Sequence, residues 1–355
     1  MKKIITLLFA ILVSSAVHAT NTQPLEIKVV VVNMFEIGED EGDRAGEFQL
    51  WKAGQKLDSR YPLPHGHHDI FVNENTGVLG LVTGMGIARA ASAIMALGLD
   101  PRFDLSNAYW LVAGIAGIDP LDGTLGSAVW TDYVVDGDLA HEIDSREIPN
   151  DWKTGYFPLF TTSPYPNADK IDPNIAPNGE VYALNTKLSQ WAYQLTKDIA
   201  LPSTDAMAEL AHQYQGFPHA LAKPKVIKGD HLAASTFWHG ELLTEWANDW
   251  VSYWTNSKGN FVTSGMEDTA TLQSLSYLAN ANKVDLDRVM ILRTASNFTQ
   301  PPPGVTAAQN LANESSGNGY AGLDSAISVA YTVGSPVVNY LVEHWETTKK
   351  TLPTP

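Results

Sequence analysis

Residues 78–87 read Val78-Leu79-Gly80-Leu81-Val82-Thr83-Gly84-Met85-Gly86-Ile87, a sequence that joins two kinds of structural pattern. The apolar run at its start fits a buried strand, and a helical pattern begins near Ile87. Gly84 and Gly86 lie in the turn, where unpaired helix N–H groups and the helix dipole suit an anion or a sugar hydroxyl. The stretch predicts a strand–turn–helix unit with a binding site at these glycines. A purely structural tight turn explains them equally well.

Similar apolar runs alternate with helical stretches on both sides of this unit. The predicted strands span residues 27–32, 78–82, 109–112, 128–135, 225–227, 259–262 and 289–293. The predicted helices span residues 87–97, 185–197, 204–215, 241–254, 268–281 and 320–343. This alternation predicts an α/β three-layer sandwich, with a central mixed β-sheet flanked by helices. Residues 151–179 are predicted to be an excursion from the sheet, so residues 20–355 are interpreted as one domain.

The amino terminus has the pattern of a secretory signal peptide. Lys2 and Lys3 precede an apolar run at residues 4–13, and Val17-His18-Ala19 has the small residues of a cleavage site. Residues 1–19 are therefore predicted to be a signal peptide, and the protein to be exported, either periplasmic or secreted. A retained anchor is the alternative. No integral membrane segment is predicted in the rest of the chain.

Composition excludes two further classes. The 355 residues contain no cysteine, so the exported protein cannot depend on disulfides for stability. The net charge is −16, and the basic residues do not cluster into a stripe, which argues against a nucleic-acid partner. The same negative field disfavours phosphate-bearing substrates, although a local arginine pocket would override it.

A second glycine-rich stretch, Ala113-Gly114-Ile115-Ala116-Gly117-Ile118-Asp119-Pro120, follows the apolar run at residues 109–112. Small residues at Ala113, Gly114 and Gly117 let the backbone approach a flat ligand closely, which larger side chains would prevent. These three residues are predicted to bind substrate. Glycines needed only for packing at a crowded strand crossover are the alternative.

Three later segments complete an ordered set of motifs: Lys228-Gly229-Asp230, Ser264-Gly265-Met266-Glu267-Asp268 and Arg293-Thr294-Ala295-Ser296-Asn297-Phe298. With the two glycine-rich stretches they resemble the nucleoside phosphorylase and nucleosidase superfamily. The chain is more similar to the purine nucleoside permease-like family. That closer resemblance covers roughly residues 27–345 and rests on residues 33–36, 96–99, 113–120, 142–147 and 292–298, with Trp152, Gly155 and Tyr156.

The resemblance implies a nucleoside phosphorylase-like fold and a purine nucleoside or base as ligand. It also makes a homo-oligomer plausible. Glu267 matches the position that contacts the ribose hydroxyls, and Met266 beside it is predicted to bind substrate by lying against the ribose. An acid that only complements a helix dipole is the alternative for Glu267.

Asn297 stands where many relatives have an aspartate that assists the leaving purine. Asparagine donates a hydrogen bond but no proton, so it would stabilise the leaving base without acting as an acid. A turn residue is the alternative there.

Relatives hold the base beside the Gly-Asp segment, against an aromatic side chain. Asp230 is therefore predicted to lie in the substrate site. The predicted stacking residues are Trp152, Tyr156 and Phe160, with Phe237 and Trp238 as further candidates, although each also fits a core position. His231 and His239 are predicted to be structural.

The nucleophile distinguishes hydrolysis from phosphorolysis. No arginine lies between Arg60 and Arg89, where phosphorylases of the superfamily place a phosphate ligand. Nucleosidases of the superfamily use a glutamate shortly after the first strand to activate water, and Glu36 or Glu39 is predicted for that role. A solvated acidic loop is the alternative.

The sequence therefore predicts an exported purine nucleosidase. Two alternatives remain open: a phosphorylase with phosphate as co-substrate, and a nucleoside-binding protein that assists uptake. Arg44, Arg89 and Arg293 keep phosphorolysis open. No metal-ligand spacing is present, and neither a metal nor another cofactor is predicted.

Overall fold

The computed structural model describes residues 23–166, 179–315 and 320–355. Its strands are β1 (Leu25–Glu26), β2 (Val29–Asn33), β3 (Ser59–Tyr61), β4 (Ile70–Asn73), β5 (Val78–Val82), β6 (Phe103–Asp104), β7 (Tyr109–Ile118), β8 (Ala128–Trp130), β9 (Tyr133–Asp136), β10 (Ala140–Glu142), β11 (Tyr156–Pro158), β12 (Val181–Ala183), β13 (Val226–Lys228), β14 (Asp230–Ala233), β15 (Phe261–Gly265) and β16 (Val289–Phe298). Its α-helices are α1 (Gln49–Gly54), α2 (Ile87–Gly98), α3 (Thr186–Thr196), α4 (Asp205–Ala211), α5 (Glu241–Trp254), α6 (Asp268–Asn280), α7 (Ala307–Ser315), α8 (Leu323–Glu343) and α9 (Trp345–Thr348). The predicted signal peptide lies outside the described residues, as does part of the predicted excursion.

Twelve of the described strands form one mixed sheet. Its main path runs β12-β9-β14-β15-β7-β2-β5-β4-β3, and β16, β8 and β13 branch from β7. Strand β2 pairs in parallel with β5 and β7, and β16 pairs in parallel with β7. The carboxyl ends of β7 and β16 therefore lie at the same edge of the sheet, where loops and helix starts can build a site.

The valines of β2 show why helices cover both faces of the sheet. Val29 and Val31 pack into a core with residues of α1, α3 and α8. Val30 and Val32 pack into a second core, with residues of α2 and α6. Successive side chains of a strand point to opposite faces, so this all-apolar strand needs a helical layer on each side. The predicted three-layer α/β sandwich is confirmed.

Residues 128–135 form two strands, where the sequence predicted one. The chain turns between β8 and β9, where the carboxylate oxygen Oδ1 of Asp230 accepts hydrogen bonds from the N–H groups of Asp132 (3.2 Å) and Tyr133 (2.8 Å). β8 then pairs with β13 and β16, whereas β9 joins β12 and β14. The glycine-rich stretch after residue 112 also differs from the prediction, because β7 continues through it to Ile118.

Helix α8 is long and apolar enough to cross a bilayer by length and composition, a feature that the sequence analysis did not single out. More than half of its apolar stretch is buried inside the protein. Val329, Val333 and Val337 of α8 belong to the same core as Leu111 of β7 and Leu292 of β16. These contacts are typical of a core helix.

Candidate active site

A cavity lies at the carboxyl ends of β7 and β16, beside the start of α6. It encloses about 650 Å³ of empty space, part of it open to solvent. Charged side chains line it at Glu47, Glu267 and Arg293, and uncharged polar ones at Ser264, Ser296 and Asn297. The apolar lining comes from methionines and aromatic residues: Met34, Met85, Met266, Phe35, Phe237 and Tyr320. This combination of apolar walls and a few polar groups is typical of a small-molecule site.

Glu47 is an acidic side chain buried in the cavity wall, only 2% exposed. Its carboxylate oxygens accept hydrogen bonds from the N–H groups of Met34 and Ile115, each at 2.7 Å. Burial raises the pKa of Glu47 to about 7, against the lowering influence of Arg293. A carboxyl group with this pKa is well suited to accept a proton from water near neutral pH.

The Arg293 guanidinium is held by fixed acceptors. Its Nε lies 3.2 Å from Oδ1 of Asp268, and its Nη2 bonds to Oδ2 of the same carboxylate. Its Nη1 donates to the Ile115 carbonyl at 3.0 Å. Burial alone would lower the pKa of Arg293, but Asp268, Glu267 and Glu47 raise it, so the group stays charged.

Asp268 neutralises that charge from a fully buried position. Burial opposes its ionisation, yet Arg293 and His231 hold the pKa of Asp268 well below its usual range. Nε2 of His231 lies 3.1 Å from Oδ2 of Asp268, and Nδ1 lies 2.9 Å from Oγ1 of Thr263. Burial lowers the pKa of His231, although Asp268 opposes the shift, so the ring is neutral. Since Asp268 compensates Arg293, ionisation of Glu47 or Glu267 gives the cavity a net negative charge.

Glu267 connects the cavity to the first turn of α2. Its Oε1 accepts the N–H of Gly86 at 3.0 Å, and its Oε2 lies 3.6 Å from Nη2 of Arg293. The next N–H of α2, from Ile87, donates to Oγ of Ser235 at 3.1 Å. Burial raises the pKa of Glu267, and Arg293 opposes that change. Two N–H groups that could bind an anion at this helix terminus are thus already paired with side chains of the protein.

Gly114 makes room for the charged groups. A Cβ atom at this position would lie 1.9 Å from Cε of Met34, 2.6 Å from Oε1 of Glu47 and 2.9 Å from Nη1 of Arg293. No side chain fits there without displacing them. Gly114 therefore belongs to the site through the space that it leaves for Glu47 and Arg293.

Asn297 lies at a bulge in β16, where the pairing with β7 shifts between Ala295 and Asn297. Its Oδ1 accepts a hydrogen bond from the Ser296 hydroxyl at 2.8 Å, and its Nδ2 donates to the Phe298 carbonyl at 3.2 Å. Gly117 pairs with it across the strands, and a Cβ there would lie 3.4 Å from Nδ2 of Asn297. The bulge and this glycine leave the amide at the cavity wall.

The family follows from sequence comparison. The model of the family described as purine nucleoside permease matches residues 26–353, nearly the whole described chain. The chain belongs to the purine nucleoside permease family. The similarity to this family that the sequence motifs predicted is confirmed.

Two relatives of this purine nucleoside permease family member come from fungi. A protein named purine nucleoside permease from Candida albicans is 31% identical over 327 residues, which cover 90% of this chain and 76% of the relative. A probable purine nucleoside permease from Schizosaccharomyces pombe is 29% identical over 329 residues, which cover 90% of each protein.

Solved structures support the fold of this family member. The 5′-methylthioadenosine/S-adenosylhomocysteine nucleosidase of Helicobacter pylori superposes with a TM-score of 0.51 at 13% identity. The match covers 90% of this chain and all of the nucleosidase chain. The predicted nucleoside phosphorylase-like fold is confirmed.

The two acids predicted to activate water lie outside the cavity lining of this purine nucleoside permease family member. The Glu36 carboxylate accepts hydrogen bonds from the N–H groups of Ile37, Gly46, Phe48 and Gln49, and so anchors the loop that leads into α1. Glu39 is on the exposed part of that loop. Further along the same loop, just before α1, Glu47 lines the cavity.

Glu47 is a residue of the candidate site that the sequence analysis missed. The acids at residues 39–43 have polar neighbours, whereas Glu47 directly precedes Phe48 and the apolar face of α1. That context is the signal that marks a buried acid. Asp268, next to the predicted Glu267, was also missed as the partner of Arg293.

Asp230 is a structural residue of this family member. Its Oδ1 fixes the turn between β8 and β9, and its Oδ2 accepts the N–H of Asn260 at 2.7 Å. It does not line the cavity, and burial raises the pKa of its carboxyl to about 6. Its carboxylate instead links neighbouring strands through these hydrogen bonds.

None of the three predicted stacking residues lines the cavity. Trp152 packs edge-on against Phe157, with ring centroids 5.5 Å apart, and Tyr156 packs on Trp246 at 4.8 Å. Phe160 is 89% exposed. Phe237, one of the further candidates, does line the cavity, and its ring lies 6.3 Å from that of Tyr320.

The remaining predicted residues divide between lining and support. Gly117 and Met266 line the cavity. Ala113 is buried behind it, where its carbonyl accepts a hydrogen bond from Nδ2 of Asn33. Gly84 and Gly86 have φ angles of +81° and +90°, and form the turn that presents the start of α2 to Glu267.

Of the three arginines that could bind phosphate in a phosphorylase, only one lies at the cavity. Arg44 is paired with Asp324 at the surface, and Arg89 is exposed on α2. Arg293 alone of the three lines the cavity, and Asp268 neutralises it. Within residues 23–166, 179–315 and 320–355, no group of three or more His, Asp or Glu side chains is arranged to hold a metal ion.

Proposed function

We propose that this protein is a purine nucleosidase that cleaves the N-ribosidic bond with water. The observation that carries the proposal is the placement of Glu47, a buried carboxyl group with a near-neutral pKa, in the same cavity as Glu267 and Asn297. Cleavage of a ribosidic bond builds positive charge on the sugar and negative charge on the base. A site with carboxylates in one part and amide and hydroxyl groups in another is complementary to both charges.

In the proposed complex the purine lies near Asn297 and the aromatic residues Phe237 and Tyr320. The ribose lies nearer to Glu267, whose carboxylate can accept hydrogen bonds from its hydroxyl groups, with Met266 against its apolar face. Gly114 and Gly117 are three residues apart in an extended strand, a distance of about 10 Å. That separation, between Glu47 near Gly114 and the amide of Asn297 near Gly117, fits a sugar at one end and a base at the other.

The proposed reaction begins with a water molecule beside ionised Glu47. The bond between C1′ and the purine nitrogen breaks, and its electron pair leaves with the base. The water oxygen bonds to C1′ while Glu47 takes the water proton. Asn297 donates a hydrogen bond to the departing purine anion, which takes its proton from solvent. The products are ribose and free purine.

Hydrolysis is favoured over phosphorolysis by the charge of the cavity. A phosphate ion would meet Glu47 and Glu267, and Arg293 is already neutralised by Asp268. The first N–H groups of α2 are paired with Glu267 and Ser235. Phosphate is the co-substrate only in the alternative reaction, and we propose no other cofactor.

A nucleoside-binding role in uptake is the second candidate, because the fungal relatives are named purine nucleoside permeases. The same cavity residues would then hold a nucleoside without turnover.

In either case we propose that the protein is exported after removal of residues 1–19 and forms a homo-oligomer. The exposure of Met85 (57%) and Phe237 (44%) at the cavity is consistent with covering by a second subunit.

The test is to incubate the mature protein with inosine, adenosine and guanosine, with and without phosphate, and to identify the products by chromatography. Free base and ribose formed without phosphate support the nucleosidase. Ribose 1-phosphate formed only with phosphate would indicate a phosphorylase. Binding without product would favour the uptake role.

A further inference from the structure

A buried polar cluster lies outside the cavity and joins α7 to the segment between β14 and α5. Nδ2 of Asn310 lies 3.1 Å from Nε2 of His239 and donates to Oε1 of Glu314 at 2.9 Å. Asn310 is only 5% exposed, although α7 is otherwise a largely polar surface helix. A buried amide that bridges two ionisable groups holds its helix in one place.

The segment that this cluster holds carries part of the cavity wall. Phe237 lines the cavity two residues before His239. Gly240, directly after His239, donates its N–H to the Thr299 carbonyl at 2.9 Å. A Cβ on Gly240 would lie 3.6 Å from Cβ of Ala307, so the start of α7 packs directly on this segment.

The cluster also borders the end of β16 that carries Asn297. The Phe298 backbone opposes the lowering of the His239 pKa, so the ring lies near this residue. The carbonyl of Phe298 in turn accepts the hydrogen bond from Nδ2 of Asn297. The cluster therefore supports both Phe237 and Asn297, the two residues placed beside the purine in the proposed complex.

Glu314 is poorly equipped to carry a charge in this position. Among the residues that the structure describes, its Oε2 is buried without a hydrogen-bond partner. The titratable groups that influence it or share its hydrogen-bond network are Tyr214, Tyr320 and His239, with no lysine or arginine among them. Burial raises the pKa of Glu314 to about 7, although Asn310 opposes the change, and burial lowers the pKa of His239. The neutral forms of both groups fit the cluster best.

We propose that His239, Asn310 and Glu314 form a clasp that positions Phe237 and Asn297 for the purine base. The three are positioning residues, and the inference rests on the proposed function only in taking the cavity as a purine site. Ionisation of Glu314 places a buried negative charge on the clasp with one hydrogen-bond donor to stabilise it. The clasp is therefore strongest where Glu314 is protonated and His239 is neutral, and it weakens as the pH rises through about 7.

The test is to measure hypoxanthine and adenine binding by calorimetry from about pH 5.5 to about pH 8.5. Wild type is compared with Glu314→Gln, which keeps the hydrogen-bond acceptor but cannot ionise, and with Asn310→Leu, which removes the bridge at similar volume. Ala312→Ser, at an exposed position of α7, is the matched control. Glu47 is present in every variant, so the difference between wild type and Glu314→Gln isolates Glu314.

We expect the Kd of the wild type and of Ala312→Ser to rise roughly tenfold across this range, while that of Glu314→Gln stays low. Asn310→Leu is expected to bind weakly at every pH. If the Kd of Glu314→Gln follows the wild-type pH curve, or if Asn310→Leu binds like wild type, the positioning role of the clasp is contradicted. Those results leave the proposal of a purine site intact. If the folded wild type binds neither base, the purine site itself fails, and the clasp with it.

Discussion

At the scale of single residues, the proposed hydrolysis depends on the position of one acid, Glu47. Glu47 is fixed by two backbone N–H groups and lies near Arg293, but burial outweighs that favourable charge and leaves its pKa near neutrality. Glu36 is closer to the first long strand, but its carboxylate already accepts hydrogen bonds from four backbone N–H groups. Those bonds leave it less able than Glu47 to accept a proton from water.

Replacement of Glu47 is the direct residue-level prediction. Glu47→Gln keeps the size of the side chain but cannot accept the water proton, so we expect kcat to fall by about 100- to 10,000-fold. Glu39→Gln, on the exposed loop, is the control and is expected to keep full activity. Steady-state kinetics with inosine measure both variants, and a fully active Glu47→Gln variant would exclude Glu47 as the base.

The pH dependence follows from the same group. Glu47 acts as a base only when ionised, so wild-type kcat should rise as the pH increases through about 7 and then level off. Glu314→Gln, in which the clasp cannot ionise, is measured in parallel, and a rate that falls through this range in both proteins would indicate that the essential form of Glu47 is the protonated acid. Initial rates in buffers of constant ionic strength are the measurement.

Gly114→Ala tests the space around the charged groups. The added methyl group would overlap Met34 and crowd both Glu47 and Arg293. We expect a loss of about 1–3 kcal/mol in unfolding free energy, together with a loss of activity. Urea denaturation and the inosine assay measure the two effects. Wild-type values for both would mean that the crowding is easily relieved.

The sequence predicted only part of this site. Glu267, Met266 and Asn297 were predicted through the family resemblance that short motifs carry, and Gly117 from its glycine-rich stretch; all four line the cavity. Glu47 was not predicted, because its position depends on a loop that closes on Ile115, 68 residues further along the chain. The local pattern can indicate that Glu47 is buried, but it cannot indicate which distant residue Glu47 contacts.

At the scale of secondary structure, Asp268 joins three elements. It starts α6, binds Arg293 of β16 and lies beside His231 of β14. Asp268→Asn would leave the Arg293 charge buried without a full counter-charge, and we expect a loss of about 3–5 kcal/mol in unfolding free energy. Asp144→Asn removes an exposed pair with Arg146 and serves as the control, with no measurable change in stability expected.

The pH dependence of that loss is a further check. The pKa of Asp268 lies well below its usual range, so its contribution is complete above the unfolded-state pKa of about 3.9 and decreases only in stronger acid. The difference between wild type and Asp268→Asn should therefore be constant from about pH 5 to about pH 8. Urea denaturation across this range measures it, and a difference that disappears near neutrality would contradict the assigned ion pair.

Strand and helix positions were largely predictable because apolar periodicity records burial. The strand at residues 78–82 and the helix at residues 241–254 match the prediction at both ends. Residues 128–135 do not match the prediction of a single strand, because Asp230, about 100 residues away, stabilises a turn within them. A continuous apolar run cannot reveal a bend that is stabilised from elsewhere in the chain.

At the scale of the whole molecule, buried acids should set the pH of greatest stability. Burial raises the pKa of Glu47 to about 7, and those of Asp119 and Asp230 to about 6. Between about pH 4 and pH 7 these acids keep protons in the folded protein that the unfolded chain has released, which lowers stability as the pH rises. The lowered pKa values of His231 and His239 oppose this change, but the buried acids with raised pKa values outnumber them. We expect a Tm that is a few degrees higher near pH 5.5 than near pH 7.5. Thermal unfolding followed by circular dichroism measures it, and a Tm that rises over this range would contradict these pKa shifts.

Export is a prediction for the complete chain. Expression of the full sequence in a secreting host should give a product that begins at Thr20, which intact-mass measurement detects. Recovery of the uncleaved chain in the membrane fraction would instead support a retained anchor.

The release of hypoxanthine from inosine in phosphate-free buffer, by wild type and by Glu47→Gln in parallel, tests the proposed nucleosidase most directly. We predict that the wild type forms hypoxanthine and ribose in equal amounts and that the variant forms almost none. Absence of product from the wild type until phosphate is added, or from the wild type under all conditions, would contradict hydrolysis by this protein.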